Sequence, residues 1–201
     1  ILDTYIRAED TKVVSELGNM SLVELLLQGK TTTPADLVKD LPGDNEAKAE
    51  TIDNNLQHEI VKKMSSNSVY YGKLSEMLKK IIMQRKIEAM SYEEYLRQVV
   101  ELAEAILHPE TSGSYPDEIK DSAARRALYD YFEQNVELTI DVDGAIRVSI
   151  QPEWKRNFQK QQRIRLAIYK KLLLHSYSED KATEETNNVF DIAQRQEEYD
   201  A

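Results

Sequence analysis

The chain has 201 residues, a formal net charge of −10 and a hydrophobic fraction of 41%, enough for one sizeable core or two small ones. Cysteine is absent, which excludes disulfide scaffolds, thiol nucleophiles and cysteine-based metal sites. No apolar run approaches the roughly 18–20 residues of a membrane span, and no signal-peptide pattern is found. Because the first residue is Ile, we expect a piece of a larger cytoplasmic protein. The acidic balance argues against a module that is entirely DNA-binding.

Few residues are helix breakers, since Gly and Pro together number 11, and we therefore predict an all-α fold with long amphipathic helices. In chain order, residues 1–44 are expected to form a connecting segment with short helices. The capping-box pattern from Ser21 to Glu24 begins one helix there, and Gly29 ends it. Pro34 at the first turn begins another.

Residues 45–175 are predicted to form the helical core. Apolar residues recur there at helical spacing, and Ser91 with Glu94 forms a second capping box. The long helices are expected near residues 46–64, 69–88, 92–107, 121–133 and 158–175. The third of these ends before Pro109, and a loop over 109–117 follows.

One stretch, at residues 138–150, gives conflicting signals. Apolar and polar residues alternate there around Asp143-Gly144, which is the local pattern of a β-hairpin with a type I′ turn. From the residues alone, the hairpin is the local prediction for this stretch. Beyond it, residues 176–201 are predicted to be an acidic tail that is polar and mobile up to 188. A short amphipathic segment with Val189, Phe190 and Ile192 could form a last helix and dock in a partner's groove.

Three features imitate catalytic motifs. The triplet Gly29-Lys30-Thr31 resembles the end of a phosphate-binding loop, but Glu24 replaces the first glycine that such a loop requires, and we expect no ATP binding. Asp117 and Glu118 resemble part of a nuclease centre, yet they are better explained as acidic residues at a helix N-terminus. The histidines, at positions 58, 108 and 175, are far apart in sequence. No cofactor or metal site is therefore predicted in this chain.

Positive charge is concentrated in two segments, residues 61–90 with net charge +5 and residues 151–175 with +6. These segments either neutralise acidic helices or contact DNA or a protein partner. The candidate contact residues are Lys79, Lys80, Arg85 and Lys86 in the first segment, and Arg156, Lys160, Arg163 and Lys170 in the second. We expect the second set to share one helix face. Trp154, the only tryptophan, is interpreted as a packing anchor with its indole N–H satisfied.

Several short segments occur in an order that resembles the C-terminal helical region of the R subunit of type I restriction enzymes. The resemblance covers roughly residues 15–174. Its strongest part runs from Tyr70-Tyr71-Gly72 to Tyr95-Leu96, and further segments lie at residues 19–25, 49–55, 115–116, 126–130, 145–147, 153–155 and 165–169. None of them is a chemical motif by itself. The resemblance implies a helix for part of residues 136–150, although Gly144 departs from the family pattern, and we prefer the helix there with the hairpin as the alternative. An unrelated helical scaffold remains the competing hypothesis.

The resemblance implies a parent subunit that is a type I site-specific deoxyribonuclease and ATP-dependent DNA translocase. Its nuclease and motor domains, which use Mg²⁺ and ATP, have no counterpart residues here. The resemblance implies that this region is not itself an enzyme and assists assembly with the methyltransferase and specificity subunits. It would also contact the parent's own motor domains, meet DNA through the holoenzyme, and have no membrane partner. A DNA-contacting helical module of the same motor is the alternative.

Overall fold

A computed structural model describes residues 41, 43–111 and 115–200, and every regular element in these ranges is helical. The α-helices, numbered in chain order, are α1 (Asn45–Lys63), α2 (Ser68–Lys86), α3 (Tyr92–Leu107), α4 (Asp117–Lys120), α5 (Ala123–Tyr131), α6 (Val136–Ser149), α7 (Phe158–Leu174) and α8 (Glu179–Gln194). Short 3₁₀ turns occur at Pro109–Thr111, Trp154–Arg156 and Glu197–Tyr199. Of the described helices, none is both long and apolar enough to cross a bilayer. The prediction of an all-α fold is confirmed.

The five predicted long helices are found at α1, α2, α3, α5 and α7, with α5 shorter than expected. Local capping accounts for their start points. The Ser91 hydroxyl accepts a hydrogen bond from the Glu94 amide at 3.1 Å, as the capping-box pattern predicts. The side chain of Asn67 caps α2 and that of Asn157 caps α7 in the same way. The predicted helices over residues 1–44 lie outside the described residues.

Helices α1, α2 and α3 pack on one another and form what we call the N-terminal bundle. One apolar stripe from each helix supplies its core, which includes Ile52, Leu56, Leu78, Tyr95 and Leu102. Each of these side chains is almost fully buried. Burying each large apolar side chain contributes about 1.5–3 kcal/mol, so this core is the main stabilising element of the bundle.

Helices α5 to α8 form the C-terminal bundle, in which α6 and α8 each contact both α5 and α7. Leu128, Ile146, Trp154, Ile168 and Phe190 belong to its core. Helix α5 also contacts α2, and Tyr129 on α5 is part of the core of the N-terminal bundle. The two bundles are therefore joined through α5.

Residues 138–149 are helical, so the hairpin alternative is wrong and the preference for a helix is confirmed. Leu138, Val142 and Ile146 are spaced four residues apart and are all fully buried. The Asn135 side chain caps the helix by accepting a hydrogen bond from the Leu138 amide at 3.0 Å. Burial of this stripe outweighs the turn preference of Asp-Gly, and Gly144 costs the helix only about 1 kcal/mol.

The expectation of a mobile acidic tail is wrong. Residues 179–194 form helix α8, which begins at the Ser178 cap and buries Ala182, Val189, Phe190 and Ala193. The last 3₁₀ turn then places Tyr199 in the core at 1% exposure. The residues beyond 175 therefore complete the C-terminal bundle, because their few apolar positions are spaced three to four apart on one helix face.

Candidate partner-docking groove

An exposed, largely apolar groove with a volume of about 580 Å³ lies between α6 and α7. Its lining includes Ile140, Gly144, Ala145, Val148, Ala167 and Leu174. Val148 is 80% exposed and Leu174 is 74% exposed. Large apolar side chains this exposed, lining one groove on neighbouring helices, are typical of surfaces that contact another molecule.

Small residues keep this α6–α7 groove open. Gly144 and Ala145 lie on the α6 wall and Ala167 on the α7 wall, so no long side chain fills the space between the helices. A Cβ atom built on Gly144 would meet nothing within 4 Å. The two helices run antiparallel, since Asp141 near the start of α6 contacts His175 just after the end of α7.

The rim of the groove has a basic side along α7. This helix contains five Lys and Arg residues and no acidic residue. Lys170 lines the groove and is exposed, and Arg163 is exposed two turns earlier on the same helix face. On the α6 side, Asp141 lies 3.0 Å from Nε2 of His175 and 3.4 Å from Nζ of Lys171. The hydrogen bond with His175 is the main cause of a lowered pKa at Asp141, so this carboxylate stays charged and is already paired.

The four predicted contact residues near α7 do not all share one helix face. Arg156 lies in the 3₁₀ turn before α7 and lines a different surface depression beside Trp154. Lys160 donates a hydrogen bond to the Pro152 carbonyl at 2.6 Å, which directs it along the chain rather than outward. Of the four, Arg163 and Lys170 remain as exposed charges beside the groove.

The first basic set is also divided. Lys80 and Lys86 are exposed, and Lys79 is held by Glu76 at 2.7 Å. Arg85 is 9% exposed, and its guanidinium forms ion pairs with Asp53 and Glu46. The prediction that Arg85 contacts DNA or a partner is therefore wrong, because its charge is used inside the N-terminal bundle.

The predicted docking segment is not available to a partner in this conformation. Val189 and Phe190 are fully buried, and Ile192 packs against the same core. Phe190 contacts Trp154 edge to face, with ring centroids 5.7 Å apart. The Trp154 indole N–H donates to the Tyr199 carbonyl at 2.7 Å, which confirms its interpretation as a packing anchor.

Sequence reasoning missed a buried ionic cluster in the N-terminal bundle. Asp53 accepts hydrogen bonds from Arg85 Nη2 at 2.8 Å and from the Tyr95 hydroxyl at 2.8 Å. The Arg85 guanidinium lies 5.2 Å from the centre of the Tyr95 ring. Burial, followed by the charge of Asp53, raises the pKa of Tyr95 far above its ordinary value. The available sequence signal was an aspartate directly beside Ile52 on the buried stripe.

A second cluster in the C-terminal bundle has the same composition. Asp143 is fully buried and receives hydrogen bonds from Arg125 Nε at 2.7 Å, Arg147 Nε at 2.8 Å and the Tyr199 hydroxyl at 2.7 Å. The Arg147 guanidinium lies 5.2 Å from the centre of the Tyr199 ring. Glu198 pairs with Arg147 at 2.9 Å and accepts the backbone N–H of Ala123 at the start of α5.

The remaining sequence features have local structural partners. Asp117 is in the first turn of α4 and pairs with Lys120 at 2.7 Å, as a helix N-terminal acid would. Across residues 41, 43–111 and 115–200, no three His, Asp or Glu side chains converge as a metal site requires. The triplet Gly29-Lys30-Thr31 lies outside the described residues, and the expectation that it does not bind ATP stays a prediction.

The chain was compared with protein-family models, with curated proteins and with solved structures, and none of the three comparisons gives a match. The fold and the groove are therefore interpreted from the chain's own residues.

Proposed function

We propose that this chain is the C-terminal helical assembly domain of the R subunit of a type I restriction enzyme, a cytoplasmic protein. In this proposal it has no catalytic centre of its own. It joins the subunit to the methyltransferase and specificity subunits, and it supports DNA translocation and cleavage by the parent's ATP- and Mg²⁺-dependent domains. The order of the resembling segments along residues 15–174 suggests the parent.

The observation that carries the docking role is the α6–α7 groove. Val148 and Leu174 are mostly exposed although each could stabilise the fold if it were buried. Small residues on both walls leave a depression instead of a closed helix pair. A partner helix or loop that fills it would bury both side chains and exclude water from the apolar walls.

The test uses the full R subunit with Val148→Glu, which places a charge in the groove without altering the buried stripe of α6. We expect it to lose co-purification with the methyltransferase core and to lose cleavage of unmodified DNA by the reconstituted complex. DNA-stimulated ATP hydrolysis by the R subunit alone should persist. The matched control is Val61→Glu, since Val61 is 59% exposed on α1 and far from the groove in sequence.

Normal assembly and normal cleavage with Val148→Glu would rule out the groove as the docking surface. Loss of assembly in both variants would show that added surface charge, rather than the groove, is the cause. A subunit truncated before Ile1 gives the wider test of the region. If it still assembles with the methyltransferase core, the assembly role itself is wrong.

The second candidate function is a DNA-contacting module of the same motor. The observation in its favour is that α7 carries five cations and no acid. If it is correct, an R subunit with Arg163→Glu and Lys170→Glu should still assemble but should fail to translocate DNA. Its DNA affinity should also become less dependent on salt.

A further inference from the structure

We propose that the α6–α7 groove binds an amphipathic helix of a protein partner, with apolar residues in the groove and acidic residues against the α7 rim. This inference rests on the proposed docking role and adds the chemistry of the partner. It follows from the length of the groove, the small residues on its walls and the positive charge of the exposed side chains beside it.

The groove has the length of a short helical contact. From Ile140 to Val148 the α6 axis advances about 12 Å, at about 1.5 Å per residue. About two turns of a bound helix cover that distance and present apolar side chains at positions i, i+4 and i+7. Gly144 and Ala167 let the bound backbone approach closely, because neither carries a side chain larger than a methyl group.

The charges select an acidic partner. Arg163 and Lys170 are exposed on the α7 side of the groove, and neither forms an ion pair within the described part of the chain. The acidic residue that lines the groove, Asp141, is already held by His175 and Lys171. Glu137, in the first turn of α6, is exposed at the end of the groove nearest to His175. Acidic residues on the partner would therefore face α7 and not α6.

The same features disfavour a nucleic-acid occupant. Phosphates are bound by rows of cations and polar groups, whereas six of the ten residues that line this groove are Ile, Val, Leu, Ala or Gly, and one of its two lysines is paired with Asp141. Two exposed cations beside an apolar depression match a protein helix with one acidic edge. A DNA duplex is therefore included in the test as a competing ligand.

The test measures binding of two fluorescein-labelled 18-residue helical peptides to the 201-residue chain by fluorescence anisotropy. Both peptides carry Leu at i, i+4 and i+7, and their flanking positions are Glu in one and Lys in the other. We expect the Glu peptide to bind about tenfold more tightly at low salt, with the difference shrinking as salt is raised.

Charge reversal locates the contact. Arg163→Glu with Lys170→Glu should weaken the Glu peptide about tenfold and should favour the Lys peptide. The control pair, Lys62→Glu with Lys86→Glu, changes the net charge equally but lies on the N-terminal bundle. Binding of the Glu peptide should hardly change in this control.

Several outcomes would overturn the inference. They are equal affinity for the two peptides, no saturable binding of either, an equal effect of the control pair, and displacement of the Glu peptide by a duplex of random sequence. The assembly assay with Val148→Glu separates this inference from the proposed function. If Val148→Glu abolishes assembly but the two peptides bind equally, only the inference of an acidic partner is rejected. If the Glu peptide is preferred but Val148→Glu assembles normally, only the proposed role in the restriction enzyme is rejected.

Discussion

The N-terminal and C-terminal bundles each contain a buried aspartate that is bonded to arginine and to a tyrosine hydroxyl, but they draw these groups from different parts of the chain. Asp53, Arg85 and Tyr95 come from three consecutive helices, α1 to α3. In the C-terminal bundle, Asp143 and its partner Tyr199 are 56 residues apart, and Tyr199 belongs to the last turn of the structure. One cluster is therefore complete within its own three helices, whereas the other needs the end of the chain.

The clusters also differ in how many partners depend on the aspartate. Asp143 neutralises two arginines, Arg125 and Arg147. Asp53 neutralises Arg85 alone, and Arg85 has a second partner in Glu46. Asp143 accepts side-chain hydrogen bonds from three residues and Asp53 from two, so the two bundles should respond unequally to loss of the aspartate.

The largest expected effect is that of Asp143→Ala. It removes the acceptor of hydrogen bonds from Arg125, Arg147 and the Tyr199 hydroxyl, although Glu198 still pairs with Arg147. We expect the free energy of unfolding to fall by about 3–4 kcal/mol. Asp53→Ala should cost less, about 2–3 kcal/mol, because it removes the acceptor of only two side chains, Arg85 and Tyr95, and Glu46 still pairs with Arg85. Urea unfolding followed by circular dichroism measures both variants, and Trp154 fluorescence reports the C-terminal bundle separately.

Asp141→Ala is the control for this pair. Asp141 lies on the same helix as Asp143, but its side chain is 41% exposed and its ion pairs are near the surface. We expect a loss of no more than about 1 kcal/mol. Equal losses for Asp53→Ala and Asp143→Ala would show that the number of partnered cations does not set the cost.

A smaller effect is expected from the tyrosines at high pH. Burial raises the pKa of Tyr71 to about 12, and it raises the pKa values of Tyr95 and Tyr199 well above their ordinary range. The native state therefore keeps these protons above pH 10, where the unfolded chain loses them. Each tyrosine lowers the free energy of unfolding by about 1.4 kcal/mol per pH unit as the pH rises above 10.

Tyr95→Phe and Tyr199→Phe compare the two bundles directly. Each variant should lose some stability at pH 8, since a hydrogen bond to a buried aspartate is removed. Each should also have a slope between pH 10 and 12 that is shallower by about 1.4 kcal/mol per pH unit. Urea unfolding at pH 8, 10 and 11 measures the slopes. Unequal changes would indicate that only one of the two hydroxyls is protected in the native state.

Helical spacing was enough to predict most of the fold, since α1, α2, α3 and α7 each have an uninterrupted apolar stripe. Of helix α8, only the end around Val189, Phe190 and Ile192 was predicted. Its first part was missed because its composition is polar, although Ala182, Thr186, Val189 and Ala193 recur at the required spacing and are buried. Helix α6 was ambiguous because Asp143-Gly144 favours a turn locally. Packing of its apolar stripe against α5 and α7 stabilises the helix instead of the hairpin.

The candidate site was harder to predict than the fold. Exposure of Arg163 and Lys170 agrees with the expectation, but sequence alone could not show that Arg85 is buried, because its partner Asp53 lies 32 residues away. The groove itself depends on which residues of α6 face α7. The role of Gly144 and Ala167 in leaving the groove open can be recognised only once the relative position of the two helices is known.

The smallest expected effect concerns two glycines, one in a helix of each bundle. Gly72 lies within α2 and Gly144 within α6, and a Cβ atom at either position would meet nothing within 4 Å. Alanine loses less conformational entropy than glycine when a helix forms, so Gly72→Ala and Gly144→Ala should each raise the free energy of unfolding by about 0.5–1 kcal/mol. Thermal and urea unfolding of the two variants measure this. A stabilising Gly72→Ala together with a destabilising Gly144→Ala would mean that the wall of the α6–α7 groove is not open in the folded chain, because an added methyl group there would then meet a neighbour.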